Sequence, residues 1–230
     1  MRHLPDSVML FAAGFGTRMR HLTKDQPKPL VKVAGVPLIE HTLSLAKAIS
    51  PRKIVANLHY KPTQLEAYLR NQGVETILET PDILETGGGL KNALPLLGRH
   101  PLFTANTDAI WQGPNPFSYL RQAWNPDRMD ALLLCVPLEN TRGHSGTGDF
   151  ILGPEGRLRR GAGDVYGGIQ IIKTDRLESV VETAFSLNLV WSQMLEEDRL
   201  FGLSYPGRWC DVGSPEGVEL AETLLENPDA

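Results

Sequence analysis

Near its start the chain reads VMLFAAGFGTR (Val8–Arg18), an apolar run that leads directly into a glycine-rich loop. The run is too short for a long helix, so it predicts a buried strand. Gly14 and Gly16 let the backbone approach a bulky ligand and adopt positive φ, and successive amide N–H groups in such a turn form an anion-binding concavity. Thr17 adds a hydroxyl donor and Arg18 a permanently charged guanidinium. The stretch therefore predicts a strand that ends in a polyphosphate-binding loop.

A second cation follows in the segment Pro27-Lys28-Pro29-Leu30. The two prolines restrict the backbone around Lys28, so this cation is held at a lower entropic cost than a flexible one. Two common nucleotide-binding motifs do not fit the chain. The dinucleotide fingerprint needs a third glycine where Met19 stands, and the P-loop sequence Gly-Lys-Ser/Thr does not occur.

Length and composition indicate one globular domain spanning residues 1–230, with an apolar fraction of 41% that is enough for a substantial core. The net charge of −4 argues against nucleic acid as a partner, because a basic surface would be expected. No run approaches the roughly 20 apolar residues of a membrane span, and the N-terminus lacks the apolar stretch of a signal peptide. The two cysteines, Cys135 and Cys210, do not make a disulfide scaffold, so the expected compartment is the cytoplasm.

Strand and helix patterns alternate along the chain. Strands are predicted at 8–13, 53–58, 76–78, 102–106, 131–136 and 165–172, and helices at 37–49, 62–72, 89–97, 174–183, 187–197 and 214–226. This alternation predicts an α/β fold with a Rossmann-like, mostly parallel mixed sheet and helices on both faces. From about residue 140 the pattern changes to glycine-rich loops and a β-hairpin over 149–160.

Two acids are candidate metal ligands. Asp108 follows the strand at 102–106, so it should lie at the carboxyl edge of the sheet, where open α/β sheets bind ligands. A carboxylate beside a triphosphate needs an intervening cation, and Mg²⁺ suits a shell of carboxylate and phosphate oxygens. Asp211, in Trp209-Cys210-Asp211-Val212-Gly213-Ser214, is the second acid. Taken alone, Asp108 could cap a turn and Asp211 could flank a helix.

These motifs together resemble the signature of the sugar-1-phosphate nucleotidylyltransferases: Gly14-x-Gly16-Thr17-Arg18-Met19, Pro27-Lys28-Pro29-Leu30 and Trp209-x-Asp211-x-Gly213. The resemblance extends from residue 8 to about 225 and implies the nucleotide-diphospho-sugar transferase (GT-A-like) fold. The compact members related to N-acetylmuramate-1-phosphate uridylyltransferase share the short length, the LETGGG stretch at 84–89, the GDF segment at 148–150 and the GxWxDVG ending at 207–213.

The resemblance assigns roles to individual positions. It implies that Arg18, Lys28 and Asp108 are catalytic and that Asp108 and Asp211 hold Mg²⁺. It implies a nucleotide site made by Ala12, Ala13, Gly14, Gly16, Thr17, Glu79, Glu85, Gly87 and Gly88, and a sugar-phosphate site made by Asn106, Gly148, Asp149 and Gly168. Residues 1–137 then form the nucleotide-binding part of the domain, and residues 138–230 the sugar-phosphate-binding part, with the hairpin as a small insertion.

Two features depart from the family pattern. Thr107 replaces the glycine that most members place before the aspartate, and we expect it to crowd the metal pocket slightly. The Glu-Lys pair that often contacts the sugar phosphate is missing between 150 and 165; Arg157, Arg159 and Arg160 lie nearby but do not match that motif. The compact members also lack this pair.

The reaction implied by the resemblance is nucleotidyl transfer, in which an oxygen of a sugar 1-phosphate attacks the α-phosphorus of a nucleoside triphosphate and pyrophosphate leaves. The compact members suggest UTP and N-acetylmuramate 1-phosphate, or a similar amino-sugar phosphate, in peptidoglycan recycling. GTP with mannose 1-phosphate and CTP with phosphocholine remain open. A non-catalytic homologue that senses a nucleotide sugar would be favoured by loss of Lys28, Asp108 or Asp211, and all three are present. The expected assembly is a monomer or a homodimer.

Overall fold

The computed structural model describes residues 4–227. Its strands are β1 (Ser7–Phe11), β2 (Lys32–Val33), β3 (Val36–Pro37), β4 (Lys53–Leu58), β5 (Glu75–Leu78), β6 (Leu102–Asn106), β7 (Ala109–Gln112), β8 (Ala131–Val136), β9 (Thr141–Arg142), β10 (Phe150–Leu152), β11 (Leu158–Arg160), β12 (Val165–Ile172), β13 (Leu200–Ser204) and β14 (Arg208–Asp211). Its helices are α1 (Leu38–Lys47), α2 (Pro62–Asn71), α3 (Glu85–Leu97), α4 (Pro116–Ala123), α5 (Asp175–Ser179), α6 (Leu187–Glu196) and α7 (Pro215–Glu226).

The main sheet has seven strands in the order β13-β8-β12-β6-β1-β4-β5. Four of its neighbouring pairs are parallel, whereas β12 is antiparallel to both β6 and β8. The prediction of a mostly parallel mixed sheet is therefore confirmed. Strands from before and after residue 137 share this one sheet, because β12, from the later part, lies between β6 and β8 of the earlier part.

Helices cover both faces of the sheet, as predicted, because its strands present apolar side chains on both sides. Val8 and Leu10 of β1 face a core completed by α1 and α4, whereas Met9 faces a second core completed by α3 and α6. This division follows from the two-residue period of a strand. β8, with the sequence ALLLCV, is buried along its whole length. The two cores fix the carboxyl ends of β1 and β6, where the candidate site lies.

A small three-stranded sheet and a hairpin complete the fold. In the small sheet the order is β7-β14-β9, so a strand from the end of the chain is paired with the segment that follows β6. This pairing carries Asp211 next to residue 109. The hairpin formed by β10 and β11 confirms the hairpin predicted over 149–160.

Several boundaries differ from the sequence-based predictions. α3 begins at Glu85 rather than at 89, so three consecutive glycines lie inside its first turns. Glycine is required there because α3 packs closely on the chain before α6; an added Cβ at Gly87 would overlap the ring of Phe185. The helix predicted over 174–183 is shorter, ending at Ser179. The elements α4, β7, β13 and β14 were not predicted, although Asn115 caps α4 by accepting from two backbone N–H groups.

Neither cysteine forms a disulfide. Cys135 and Cys210 are buried free thiols, and Cys135 lies inside β8, as its apolar neighbours indicated. Burial raises the pKa of the Cys210 thiol to about 11, with a smaller contribution from the charge of Asp211, so this thiol is unreactive at neutral pH. Across residues 4–227, no helix combines the length and the apolar character that crossing a bilayer requires.

Candidate active site

The candidate site begins at the loop after β1. The loop is fixed from below, since the Ala12 N–H donates to Oδ1 of Asn57 over 2.8 Å. Gly16 has a φ of +63°, and an added Cβ there would lie 2.8 Å from Cβ of Lys28. Glycine is therefore needed at this position both for the left-handed turn and for close packing of the Lys28 segment. At Gly14 an added Cβ would meet no described atom within 4 Å, so that part of the loop is open to a ligand.

A first cavity of about 220 Å³ opens between this loop and the start of α3. Many of the predicted site residues lie in its wall: Ala12, Ala13, Gly14, Lys28, Glu85, Asn106 and Asp108. The parallel strands β1 and β6 end at the same edge of the sheet, which is why the loop after β1 and Asp108 after β6 meet here. The sequence-based placement of both groups at this edge is correct.

Two acids and two cations meet beside this cavity. Asp211 ends β14 opposite Ala109, and the Val212 N–H donates to the Asp108 carbonyl over 2.8 Å. The Lys28 ammonium donates to Oδ2 of Asp108 over 2.8 Å. The Arg18 guanidinium lies 3.9 Å from Oδ2 of Asp211. Lys28 is 12% exposed and Arg18 is 73% exposed, so Lys28 is held inside the site whereas Arg18 reaches over it from solvent.

The acid pair could hold a divalent cation. Burial raises the pKa of Asp211, and the negative charge of Asp108 raises it further; Lys28 and Arg18 act in the opposite direction. The two carboxylates therefore repel each other, and a divalent cation would relieve that repulsion. Among residues 4–227 no group of three or more potential ligand side chains occurs. Two carboxylates that leave the remaining positions to phosphate oxygens and water are what Mg²⁺ commonly takes.

A second cavity of about 250 Å³ adjoins the first. The two cavities share Phe11, Thr86 and Asn106 in their walls. The second cavity is further lined by Asp149, Phe150, Arg160, Tyr166, Asn188 and Trp191, which come from the hairpin, β12 and α6. A ligand that spans the shared wall would occupy both cavities.

Comparison with known proteins agrees with this geometry. Residues 8–146 match the family described as the MobA-like NTP transferase domain. The chain is 38% identical to N-acetylmuramate alpha-1-phosphate uridylyltransferase of Caulobacter vibrioides, over 98% of this chain and 99% of that protein. It is 33% identical to the protein of the same name from Neisseria meningitidis serogroup B, over 94% and 97% of the two chains. The chain belongs to the sugar-1-phosphate nucleotidylyltransferases. It is a nucleotidyltransferase, an enzyme of the EC 2.7.7 type.

A solved structure supports the fold of this nucleotidylyltransferase. The crystal structure of HddC from Yersinia pseudotuberculosis complexed with GMP-PN superposes with a TM-score of 0.76, covering 95% of this chain and 99% of that one, at 21% identity. The GT-A-like fold implied by the sequence motifs is therefore confirmed.

Three predicted nucleotide-binding residues of this nucleotidylyltransferase lie behind the wall of the first cavity. The N–H groups of Gly87 and Gly88 both donate to the Phe185 carbonyl, which ties α3 to the chain before α6. Glu79 is only 1% exposed. Its carboxyl group accepts from Nδ2 of Asn57 over 2.7 Å and from the Leu84 N–H over 2.8 Å. The structure gives these residues a supporting position.

The predicted sugar-site residues are divided in a similar way. Asn106 and Asp149 line the second cavity, and Oδ2 of Asp149 accepts from the Tyr166 N–H over 2.9 Å. Gly168 has a φ of +93°, and an added Cβ there would lie 2.9 Å from the Asn106 side chain. Glycine at 168 therefore leaves room for Asn106 in the shared wall. Gly148 packs against the backbone of Gly163 and also serves to shape the wall.

Thr107, the departure from the family pattern, is held by the end of β1. Its hydroxyl donates to the Phe11 carbonyl over 2.8 Å, and the residue lines the first cavity. Thr107 thus links the ends of β1 and β6 directly behind the acid pair. Whether it slows turnover stays a prediction.

Sequence reasoning did not identify several residues of this site. Asn57 follows a buried run at the end of β4, which is the same signal that located Asp108 after β6. Tyr166 and Trp191 line the second cavity with ring centroids 5.0 Å apart. Nothing in the local sequence distinguished these two from ordinary core aromatics, since their common position depends on how β12 and α6 pack.

Proposed function

We propose that this enzyme transfers a uridylyl group from UTP to N-acetylmuramate 1-phosphate, in a Mg²⁺-dependent reaction that yields UDP-N-acetylmuramate and pyrophosphate. The observation that carries the proposal is the meeting of Lys28 and Arg18 with Asp108 and Asp211 beside the first cavity. The choice of substrates is supported by the two bacterial relatives of that name, which match over nearly their full length.

The reaction depends more on neutralising the negative charges of its two substrates than on a strong base. The acceptor phosphate has a second pKa of about 6, so it is already mostly a dianion at neutral pH. The principal obstacle is the repulsion between this dianion and the triphosphate, which positioning and fixed positive charge can overcome. Lys28 lies inside the site and is suited to bridging phosphate oxygens at the reacting phosphorus. Arg18 and the amides of the loop at 12–16 are suited to the leaving pyrophosphate.

The acid pair is suited to hold the metal ion. Asp108 and Asp211 would supply its protein ligands, and bound Mg²⁺ would supply Lewis-acid polarisation of the phosphoryl oxygens. Lys28 remains within hydrogen-bonding distance of Asp108, and it therefore orients that carboxylate.

The two cavities divide the substrates between them. The first cavity is bounded by the phosphate-binding loop and by the start of α3, and we assign it to the nucleotide. The second cavity is lined by four aromatic residues and several polar side chains, a combination that suits a sugar ring, and we assign it to the acceptor. Asn106 lies in the shared wall, so it is placed to contact the groups that react.

A pyrophosphate-release screen tests the proposal. Each of the four nucleoside triphosphates is paired with N-acetylmuramate, N-acetylglucosamine, mannose and glucose 1-phosphates and with phosphocholine, in Mg²⁺ and in excess EDTA. The expected result is release with UTP and N-acetylmuramate 1-phosphate that EDTA abolishes. Faster turnover of GTP with mannose 1-phosphate would contradict the proposed substrates. Binding of a nucleotide sugar without any pyrophosphate release would contradict catalysis.

The reaction also implies a cellular setting. Nucleoside triphosphates are made and kept in the cytoplasm, and the two buried free thiols fit a reducing compartment. Transfer of a uridylyl group to N-acetylmuramate 1-phosphate would convert a cell-wall sugar into UDP-N-acetylmuramate, a nucleotide-sugar precursor. This is a recycling role.

A further inference from the structure

The second cavity contains a cation that the proposed chemistry does not use. Arg160 lies at the end of β11 and lines this cavity. Its Nη2 donates to Oδ1 of Asn188 over 2.9 Å. Its guanidinium carbon lies 5.3 Å from the ring centroid of the fully buried Phe150. These two contacts hold the guanidinium at the cavity although the residue is exposed.

The charge of Arg160 has no carboxylate partner. No ion pair found among residues 4–227 includes it, whereas its neighbour Arg157 lies 3.6 Å from a carboxylate oxygen of Asp198. Asp149 lines the same cavity, but its carboxylate accepts from the Tyr166 N–H instead. The second cavity therefore offers a planar guanidinium whose charge is not neutralised, although its Nη2 donates to Asn188, and such a group matches a carboxylate or a phosphate.

The position of Arg160 distinguishes between those two anions. The reacting phosphates belong beside Lys28 and Asp108, and both of these line the first cavity. Arg160 and Asn188 line only the second cavity. Neither residue belongs to the wall that the two cavities share. A sugar 1-phosphate that places its phosphate at the shared wall would extend its ring toward Arg160. N-acetylmuramate carries an ionised carboxylate on its lactyl ether, which N-acetylglucosamine lacks.

We infer that Arg160, oriented by Asn188, binds the carboxylate of an acidic sugar and makes this enzyme select N-acetylmuramate 1-phosphate over neutral hexosamine 1-phosphates. The inference rests on the proposed function for its substrate. It adds a specificity-determining residue that has no counterpart in the Glu-Lys motif and that acts away from the reacting phosphorus.

The test compares R160A with R159A, because the two arginines are adjacent on one strand and therefore point to opposite faces. Initial rates are measured with UTP and either N-acetylmuramate 1-phosphate or N-acetylglucosamine 1-phosphate. For R160A we expect kcat/KM to fall about ten- to hundredfold with the acidic sugar, mainly through KM, since a charge-assisted hydrogen bond is lost. We expect a change below about twofold with the neutral sugar, and wild-type values for R159A with both.

A second measurement needs no variant. The wild-type enzyme is assayed with N-acetylmuramate 1-phosphate whose lactyl carboxylate is converted to the primary amide, and the expected loss is again about tenfold or more. Equal losses of R160A with both sugars would overturn the inference, as would wild-type turnover of the amide at the rate of the acid. If the wild type uses only neutral sugar phosphates, the proposed acceptor and this inference both fail. If it uses the acidic sugar and R160A is unimpaired, this inference alone fails.

Discussion

The first cavity is built from the ends of parallel strands, whereas the second is built from a hairpin, an antiparallel strand and the start of a helix. In the first, the loop after β1 is tied through Asn57 to Glu79, and Lys28 is largely enclosed and paired with Asp108. In the second, the charged group is Arg160, which is exposed and held by one side-chain hydrogen bond and one ring. From this difference we expect the residues of the first cavity to determine the reaction. Residues of the second cavity could change to suit a different sugar with little loss of stability.

The largest effect should come from the acid pair. We expect D108N to lower kcat by about 100-fold or more, because the variant loses the charge that would hold the metal. D211N should behave in the same way. Thermal unfolding of both variants should stay within a few degrees of the wild type, since each substitution removes the repulsion between the two carboxylates and, in D108N, this gain offsets the lost ion pair with Lys28. A D108N enzyme with normal turnover would disprove the assignment of the first cavity as the reaction centre.

Substitution of Arg18 tests whether an exposed side chain beside the first cavity contributes as much to turnover as the more enclosed ones. R18A should lower kcat by about 100-fold, through lost stabilisation of the leaving pyrophosphate. R20A is the matched control, because Arg20 is similarly exposed and, within the described part of the chain, its ion pair is with Glu216, 3.4 Å away. Its steady-state kinetics should match the wild type. Comparable losses in both variants would mean that the loop as a whole is disturbed and that Arg18 has no special role.

The supporting layer of the first cavity should respond more weakly. Both carboxyl oxygens of Glu79 accept hydrogen bonds, and a glutamine retains only one acceptor oxygen and places an amide group against a donor. We expect E79Q to lose about 1–3 kcal/mol of unfolding free energy in urea and to raise the KM for UTP several-fold. E75Q, at the start of the strand that ends just before Glu79, is the control, since the partly exposed pair of Glu75 with Lys53 contributes little. An E79Q variant with unchanged stability would contradict the supporting role.

The smallest effect on turnover should come from the end of the sheet opposite both cavities. There Asp130 precedes β8 and contacts Lys173, Arg176 and Arg199. Burial acts to raise its pKa, but hydrogen bonds from these three cations outweigh burial and lower the pKa to about 2. The resulting stability is present above pH 4 and is lost as the pH falls toward 2, amounting to about 1–2 kcal/mol after solvent screening.

D130N should therefore flatten that part of the pH–stability curve and leave kcat/KM at neutral pH unchanged. Urea unfolding between pH 2 and pH 6, together with the pyrophosphate assay, checks both parts. A large fall in activity would mean that this ion-pair cluster is coupled to the active site. It would contradict the expectation that the two ends of the sheet act independently.

The sequence was a better guide to the first cavity than to the second, for a physical reason. Asp108, Lys28 and the loop at 12–16 are placed by strand ends and by short-range turn chemistry, which leave local signals. Asn57 obeys the same rule as Asp108, so it too could have been predicted. By contrast, Arg160 and Asn188 are joined by a contact between a hairpin and a helix. Which of the arginines at 159 and 160 faces the cavity depends on the register that pairs Phe150 with Arg160.

The glycines at 87–89 illustrate a different limit. The resemblance implied that Gly87 and Gly88 belong to the nucleotide site, and the structure places all three glycines inside α3. Gly87 and Gly88 pack closely against the chain at 183–185, almost a hundred residues away in sequence, and Gly89 packs against the side chains of Asn57 and Glu79. A glycine kept for packing between distant segments cannot be told from a glycine kept for a ligand until both segments are placed.

Strand β12 restricts how the enzyme can move. It pairs with β6 on one side and, across a register shift between Tyr166 and Gln170, with β8 on the other, so the main sheet is joined through this strand. A hinge between the two halves would have to break backbone hydrogen bonds along this strand. The sheet therefore holds the strand ends at the two cavities at a fixed spacing, which favours a preset distance between the two anionic reactants.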